Sequence, residues 1–246
     1  MTNAPEILVY PSLEELQAAA AERVAAAAER AMAERGRFLM AISGGSAPPG
    51  VFARLAREPR FAGMPWAATS LIWADERYVP HSDPESNYSQ ARRALLDHVR
   101  IPSDQVYPVA TYLADPAEAA VLYGRLVQAL LDAHGGQIDL ALLGMGPAGH
   151  TASLFPGHPA LEAPPGALAV AVEGSPKPPP RRVSLSAAAL NRSAEAVFLV
   201  AGADKAAKAR DALRGPFDPH STPAQLIRPP QGHLVWMLDA AAAAEL

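Results

Sequence analysis

The chain has no cysteine. Disulfides, thiolate nucleophiles and cysteine-ligated zinc are excluded outright. It also lacks an excess of either charge: 21 lysines and arginines face 25 aspartates and glutamates, a formal net charge of −4. That balance gives no electrostatic case for nucleic acid or for an anionic membrane. No apolar run reaches the roughly eighteen residues a membrane span needs. The alanine-rich tract Ala18–Ala28 is interrupted by Glu22 and Arg23. The opening MTNAPEILVY has no basic segment leading into a long apolar one, so no signal peptide and a cytoplasmic location are expected. No H-E-x-x-H pairing exists, which argues against a catalytic metal, and Ser43-Gly44-Gly45-Ser46 is neither the G-x-G-x-x-G dinucleotide pattern nor a Walker A loop, because no G-K-[ST] follows. No internal repeat or long linker divides the chain, so residues 1–246 are expected to form a single domain.

What is present is an alternation of strand and helix patterns. Glu6–Tyr10 is β-prone. Ser12 with Glu15 three positions on makes a capping box for an alanine-rich helix over Leu13–Arg35, ended by Gly36. Strands are expected at Arg37–Ile42, Ser70–Ala74, Val106–Pro108, Ile138–Leu143, Gly166–Glu173, Arg182–Leu185, Ala196–Ala201 and His233–Leu238. Helices are expected at Val51–Arg57, Tyr88–Val99, Ala117–His134, Ala187–Leu190 and Gly202–Leu213, with a last short one capped by Asp239. The order implies an α/β fold, a mostly parallel Rossmann-like sheet with helices on both faces. Ligands of such sheets bind outside the carboxyl ends of the strands. Three polar loops each follow an expected strand: Ser43–Pro49, Asp75–Ser86 and Gly144–Pro156. They should meet on one edge.

The chemistry is expected in those loops. Ser43-Gly44-Gly45-Ser46 lies between a strand and a helix, where free N–H groups and the helix dipole suit a phosphate. A tight turn with a serine cap explains the same residues. Asp75-Glu76-Arg77 closes the third expected strand; its arginine can fork onto an anion, and a local ion pair is the plainer account. His150 follows Gly149 and precedes Thr151 and Ser153, a histidine beside open backbone and hydroxyls, suited to general base work. Ser153 has no G-x-S-x-G elbow around it and is not read as a nucleophile. Lys177 sits on the stiff run Pro176-Lys177-Pro178-Pro179-Pro180, Arg181 and Arg182 precede a strand, and Lys205 opens a helix. Taken singly, each is ordinary surface charge. Lys205 opposes the helix dipole unless an anion binds there.

Together, Ser43–Pro48, Trp73–Pro80 with Ser86-Asn87-Tyr88, GHTASLFPG within Leu142–Gly157, PKPPPRRVSLS and Gly202–Lys205 resemble the 6-phosphogluconolactonase family, in the larger group that includes glucosamine-6-phosphate deaminase. The resemblance implies hydrolysis of 6-phospho-D-glucono-1,5-lactone without a cofactor; a monomer or small homo-oligomer is expected. It implies His150 as the base that activates water, with Arg77 reaching over the substrate. Asp75 would contact its hydroxyls or aid proton transfer. Gly44, Gly45, Ser46, Arg182 and Lys205, with Lys177 beside them, would hold the phosphate. Two positions depart from the family pattern: Ala47 stands where threonine is usual, and Ala148 where aspartate is usual. A deaminase or isomerase of an amino-sugar phosphate, or a sugar-phosphate-binding protein without catalysis, are the alternatives.

Overall fold

The computed structural model describes residues 4–246. Its elements in chain order are β1 (Glu6–Tyr10), α1 (Leu13–Arg35), β2 (Phe38–Ile42), α2 (Pro48–Arg57), β3 (Thr69–Trp73), β4 (Asp75–Arg77), α3 (Asn87–Ala91), β5 (Val106–Tyr107), α4 (Pro116–Ala133), β6 (Leu140–Gly144), β7 (Ala169–Val172), β8 (Arg182–Leu185), α5 (Ala187–Leu190), β9 (Glu195–Val200), α6 (Ala206–Arg214) and β10 (His233–Asp239). Seven strands form one parallel sheet in the order β1-β10-β9-β6-β2-β3-β5.

Strand alternation divides the core into two layers. Along β2, Leu39 and Ala41 face one layer, while Phe38, Met40 and Ile42 face the other. Both faces of the strand are buried, hence the unbroken apolar run FLMAI. On one side α1 lays down Leu16, Ala20, Val24, Ala27, Ala28 and Ala31, a stripe of small side chains that lets the helix lie close to the sheet. Ser12 Oγ accepts from the Glu15 N–H (3.2 Å), and Gly36, at φ 67°, ends the helix with its N–H on the Met32 carbonyl. The opposite layer is built from α4 through Ala119, Tyr123, Val127 and Leu131, together with Phe198 stacked on Trp236 (centroids 4.2 Å apart). Truncating such a ring to alanine costs about 3–5 kcal/mol.

Four expectations are corrected. Asp75-Glu76-Arg77 does not close β3. At Ala74 the chain leaves the large sheet: its N–H bonds Ile42 O, and its carbonyl accepts from Leu185 N–H. Asp75–Arg77 then forms β4 in a separate antiparallel sheet, β4-β8-β7. Residue-by-residue patterning gave no sign of this, because a three-residue strand is too short for a period. The expected helix Tyr88–Val99 is shorter, α3 passing at Arg92 into a wider turn through Leu96. The C-terminal helix is absent among the described residues. Asp239 instead caps turns, accepting from Ala242 N–H at 2.8 Å. The Gly202 segment begins with a 3-10 turn, Ala203–Lys205, before α6.

Candidate active site

The three polar loops do meet. A cavity of about 340 Å³ at the carboxyl ends of β2, β3 and β6 is lined by Ser43–Pro48, Asp75, Arg77, Asn87, Gly144–Pro147, His150 and Ala152, and by Lys177, Arg182, Asp204 and Lys205 from three further segments. Every residue assigned a role from the sequence lies on its wall: His150, Arg77, Asp75, Gly44, Gly45, Ser46, Arg182, Lys205 and Lys177. The other histidines, His81, His98, His134, His158, His220 and His233, lie outside it.

His150 is carried by a tightly folded loop. Thr151 Oγ1 donates to the Gly144 carbonyl (2.9 Å), and Gly146 N–H donates to His150 O (2.9 Å). The imidazole packs against Gly146, where any Cβ would overlap it, and against the ring of Phe155 with centroids 4.5 Å apart. Ala152 holds a left-handed φ of 47°, a conformation that costs an L-residue of order 1 kcal/mol. Packing therefore orients the ring, and Nδ1 is buried with no hydrogen-bond partner. Burial pushes the imidazole pKa down to about 4; Lys177, Arg182 and Arg77 push the same way and Asp75 against them. The ring is neutral at pH 7, as a proton acceptor must be.

Asp75 is 5 % exposed and tightly held. Its Oδ2 accepts from Ser153 Oγ (2.6 Å) and lies 3.9 Å from Arg182 Nη1; its Oδ1 accepts from Asn87 Nδ2 (3.1 Å). Ser153 is thus a buried donor to the aspartate.

The cations crowd one another. Antiparallel register sets Arg77 directly opposite Arg182, a like-charge pair that opposes strand pairing. Arg182 is only 3 % exposed and gives Nε and Nη2 to the carbonyls of Pro179, Lys177 and Pro178, so it also fastens the proline segment that carries Lys177. Arg77 Nη1 donates to Glu85 O (2.7 Å). Lys205 bonds Asp204 (3.0 and 3.2 Å). Burial lowers the Lys177 pKa, and the nearby Lys205, Arg182 and Arg77 lower it further. A bound dianion would relieve that repulsion.

Sequence reasoning gave no role to Asn87, Ser43 or Asp204, all on the wall. Asn87 looks like a helix cap in sequence; only the fold shows its side chain turned to Asp75. Six buried side-chain polar atoms lack a partner among the described residues, and four of them, Ser43 Oγ, Arg77 Nε, Asn87 Oδ1 and His150 Nδ1, belong to residues of this wall. Buried polar groups are normally satisfied. Their gathering around one cavity sets that wall apart from the rest of the described interior.

Fold and cavity together define an α/β protein with a cation-rich cavity at the carboxyl ends of its parallel strands and an imidazole on the cavity wall. Residues 11–236 match the family model described as glucosamine-6-phosphate isomerases/6-phosphogluconolactonase. The chain belongs to this family. It is 43 % identical to a 6-phosphogluconolactonase of Mycobacterium tuberculosis over 98 % of both chains. It is 39 % identical to one from Synechocystis over 88 % of both. Among solved structures, the 6-phosphogluconolactonase from Trypanosoma cruzi superposes with a TM-score of 0.87 at 27 % identity, covering 100 % of this chain and 98 % of that one. A monomeric glucosamine-6-phosphate deaminase shares the fold at a TM-score of 0.83 and 19 % identity, covering 98 % of this chain and 100 % of that one.

Proposed function

We propose that the protein hydrolyses 6-phospho-D-glucono-1,5-lactone to 6-phosphogluconate, with His150 as general base. The observation that carries this is a neutral imidazole on the wall of a cavity that also holds Lys177, Lys205, Arg77 and Arg182. The relatives named 6-phosphogluconolactonase support the choice of substrate.

In this reading the phosphate lies among Lys177, Lys205 and the N–H groups of Gly44, Gly45 and Ser46. Arg182 adds its charge and fixes the Lys177 segment. With the phosphate held, remote binding free energy goes into alignment of the lactone carbonyl. His150 takes a proton from water as the oxygen adds to the carbonyl carbon. Charge developing on the carbonyl oxygen is met by Arg77 or loop N–H groups. The imidazolium returns its proton to the ring oxygen as the C–O bond breaks, leaving the free acid and a hydroxyl. Asp75 accepts from sugar hydroxyls and offsets the surrounding cations.

The test is proton release from freshly generated lactone, with the enzyme-free rate subtracted. Hydrolysis well above the spontaneous rate is expected. A rate equal to the spontaneous one, with 6-phosphogluconate bound, would make the protein a binding module. Ammonia from glucosamine 6-phosphate would make it a deaminase.

A further inference from the structure

The middle residue of β4 touches nothing in the cavity, yet it joins the parts that shape it. Strand alternation sends Asp75 and Arg77 to the cavity side and Glu76 behind the wall, where it is fully buried at 0 % exposure. Its carboxylate collects four donors. Oε1 accepts from the N–H of Arg77 and of Asn87, both at 2.7 Å; Oε2 accepts from Tyr88 N–H (2.8 Å) and Ser86 Oγ (3.1 Å). All four donors are neutral. A buried carboxylate without a cation is an expensive way to fill space, and an apolar side chain would fill it at less cost. What the carboxylate does, and an apolar group would not, is tie the backbone of β4 to the turn Ser86–Tyr88.

That tie has a direction. Asn87 Nδ2 donates to the Asp75 carbonyl (2.8 Å) and to its carboxylate (3.1 Å). Those bonds fix which way the amide faces, so Oδ1 points to Gly44, where a Cβ would overlap it. Asn87 is 2 % exposed, and this oxygen has no donor. The wall thus carries unfilled acceptors, Asp75 and Asn87 Oδ1, beside the donors Lys177, Lys205, Arg77 and Arg182. A phosphate dianion has no proton to give to an acceptor. A sugar hydroxyl does.

We propose that Glu76 is a positioning residue which, from behind the wall, holds Asn87 so that its Oδ1 receives a hydroxyl of the bound sugar. The inference rests on the lactonase reading for the identity of the sugar, and the experiment separates the two. Full-length wild type, Glu76→Gln, Asn87→Ala, the double variant and Ser86→Ala are titrated calorimetrically with 6-phosphogluconate and, separately, with inorganic phosphate. Glutamine keeps the shape but replaces one accepting oxygen with a donor, so at least one N–H of the turn loses its partner. The expected result is an affinity for 6-phosphogluconate about tenfold weaker in Glu76→Gln. Inorganic phosphate should change by less than about twofold. Asn87→Ala should show the same selectivity, and the double variant should be no weaker than the weaker single, because the two act through one contact.

Equal weakening toward both ligands would mean a purely structural carboxylate and overturn the proposal; so would undiminished affinity for 6-phosphogluconate, or additive losses. If Glu76→Gln does not fold, Ser86→Ala, which removes one donor of the four, must show the selective loss in smaller measure, and its absence sinks the idea. Wild-type lactone hydrolysis at the spontaneous rate would remove the lactonase reading while leaving the ligand-selective loss as the measure of Glu76.

Discussion

The two ends of the parallel sheet handle charge in opposite ways. At the amino ends of the strands, buried carboxylates are fully matched. Asp139, just before β6, takes Arg35 on Oδ1 (2.6 Å) and the Leu39 N–H on Oδ2 (2.7 Å). Glu195, the first residue of β9, is held by Arg23 and Arg30. At the carboxyl ends, Arg77 faces Arg182 on the neighbouring strand, burial and nearby cations lower the pKa values of Lys177 and Arg182, and four buried polar atoms of the wall go unpaired among the described residues. At the first end each buried carboxylate has its arginine, and Arg35 Nε is the one unpartnered buried side-chain atom of those pairs among the described residues; at the second end the unpartnered atoms gather round one cavity. Charge at the first end ties segments together, and in the proposed reading charge at the second serves binding and proton transfer.

That contrast can be broken at either end. The largest effect is expected from His150→Ala, a fall in kcat of about 10²–10⁴-fold with little change in KM or in melting temperature. Steady-state kinetics with fresh lactone decides it, and unaltered turnover would remove His150 from the chemistry. Next is Asp139→Ala, at the matched end. It strips a buried acceptor from Arg35 and from Leu39 N–H and should cost about 2–3 kcal/mol in urea unfolding, with kcat at 25 °C unchanged. A loss of activity without loss of stability would contradict the division of labour.

Lys205→Ala comes third. It should raise KM for the lactone about tenfold, with kcat nearly constant and a slightly raised melting temperature, because one repelling cation is gone. A rise in KM together with a stability loss would mean that Lys205 is structural.

The smallest effect concerns pH. Burial holds the His150 pKa near 4, so its Cε1 proton resonance should stay at the neutral position from pH 8 to below pH 5 and move only toward about pH 4. A folded pKa below the unfolded one means that the native state binds fewer protons between those values. This histidine therefore contributes stability above about pH 6.5 that is lost as pH falls toward 4. Ala148→Asp should raise the midpoint by bringing a carboxylate to the loop that carries the unpartnered Nδ1, with a severalfold gain in kcat/KM. A midpoint near 6.5 in the wild type would show that the ring is solvated and not gripped by Gly146 and Phe155.

Much of this was legible along the chain. The capping pair Ser12 and Glu15, the stop at Gly36, the β8 boundaries Arg182–Leu185 and α5 at Ala187–Leu190 are local facts, set by side chains acting on backbone a few residues away. The meeting of the loops after Ile42, Trp73 and Gly144 also followed, since a parallel sheet puts all its carboxyl ends on one edge. Glu76 was not legible. In sequence it stands between Asp75 and Arg77 as one more polar residue of a loop. Its burial and its four donors arise only because Ala74 diverts the chain into a second sheet and the Ser86–Tyr88 turn folds back over it. Arg182 was separated from its neighbour Arg181 only through the family resemblance: residue type and local pattern do not tell them apart, yet the first is buried and the second exposed.

The sequence by itself determined the alternation of elements, their ends and the chemical types gathered at one edge of the sheet, because those depend on period, capping and backbone freedom within a few residues. Only the tertiary structure decided which charges are paired and which are spare. Pairing depends on distances between segments as remote as Arg35 and Asp139 or Asp75 and Ser153, and on how much water is left around each of them.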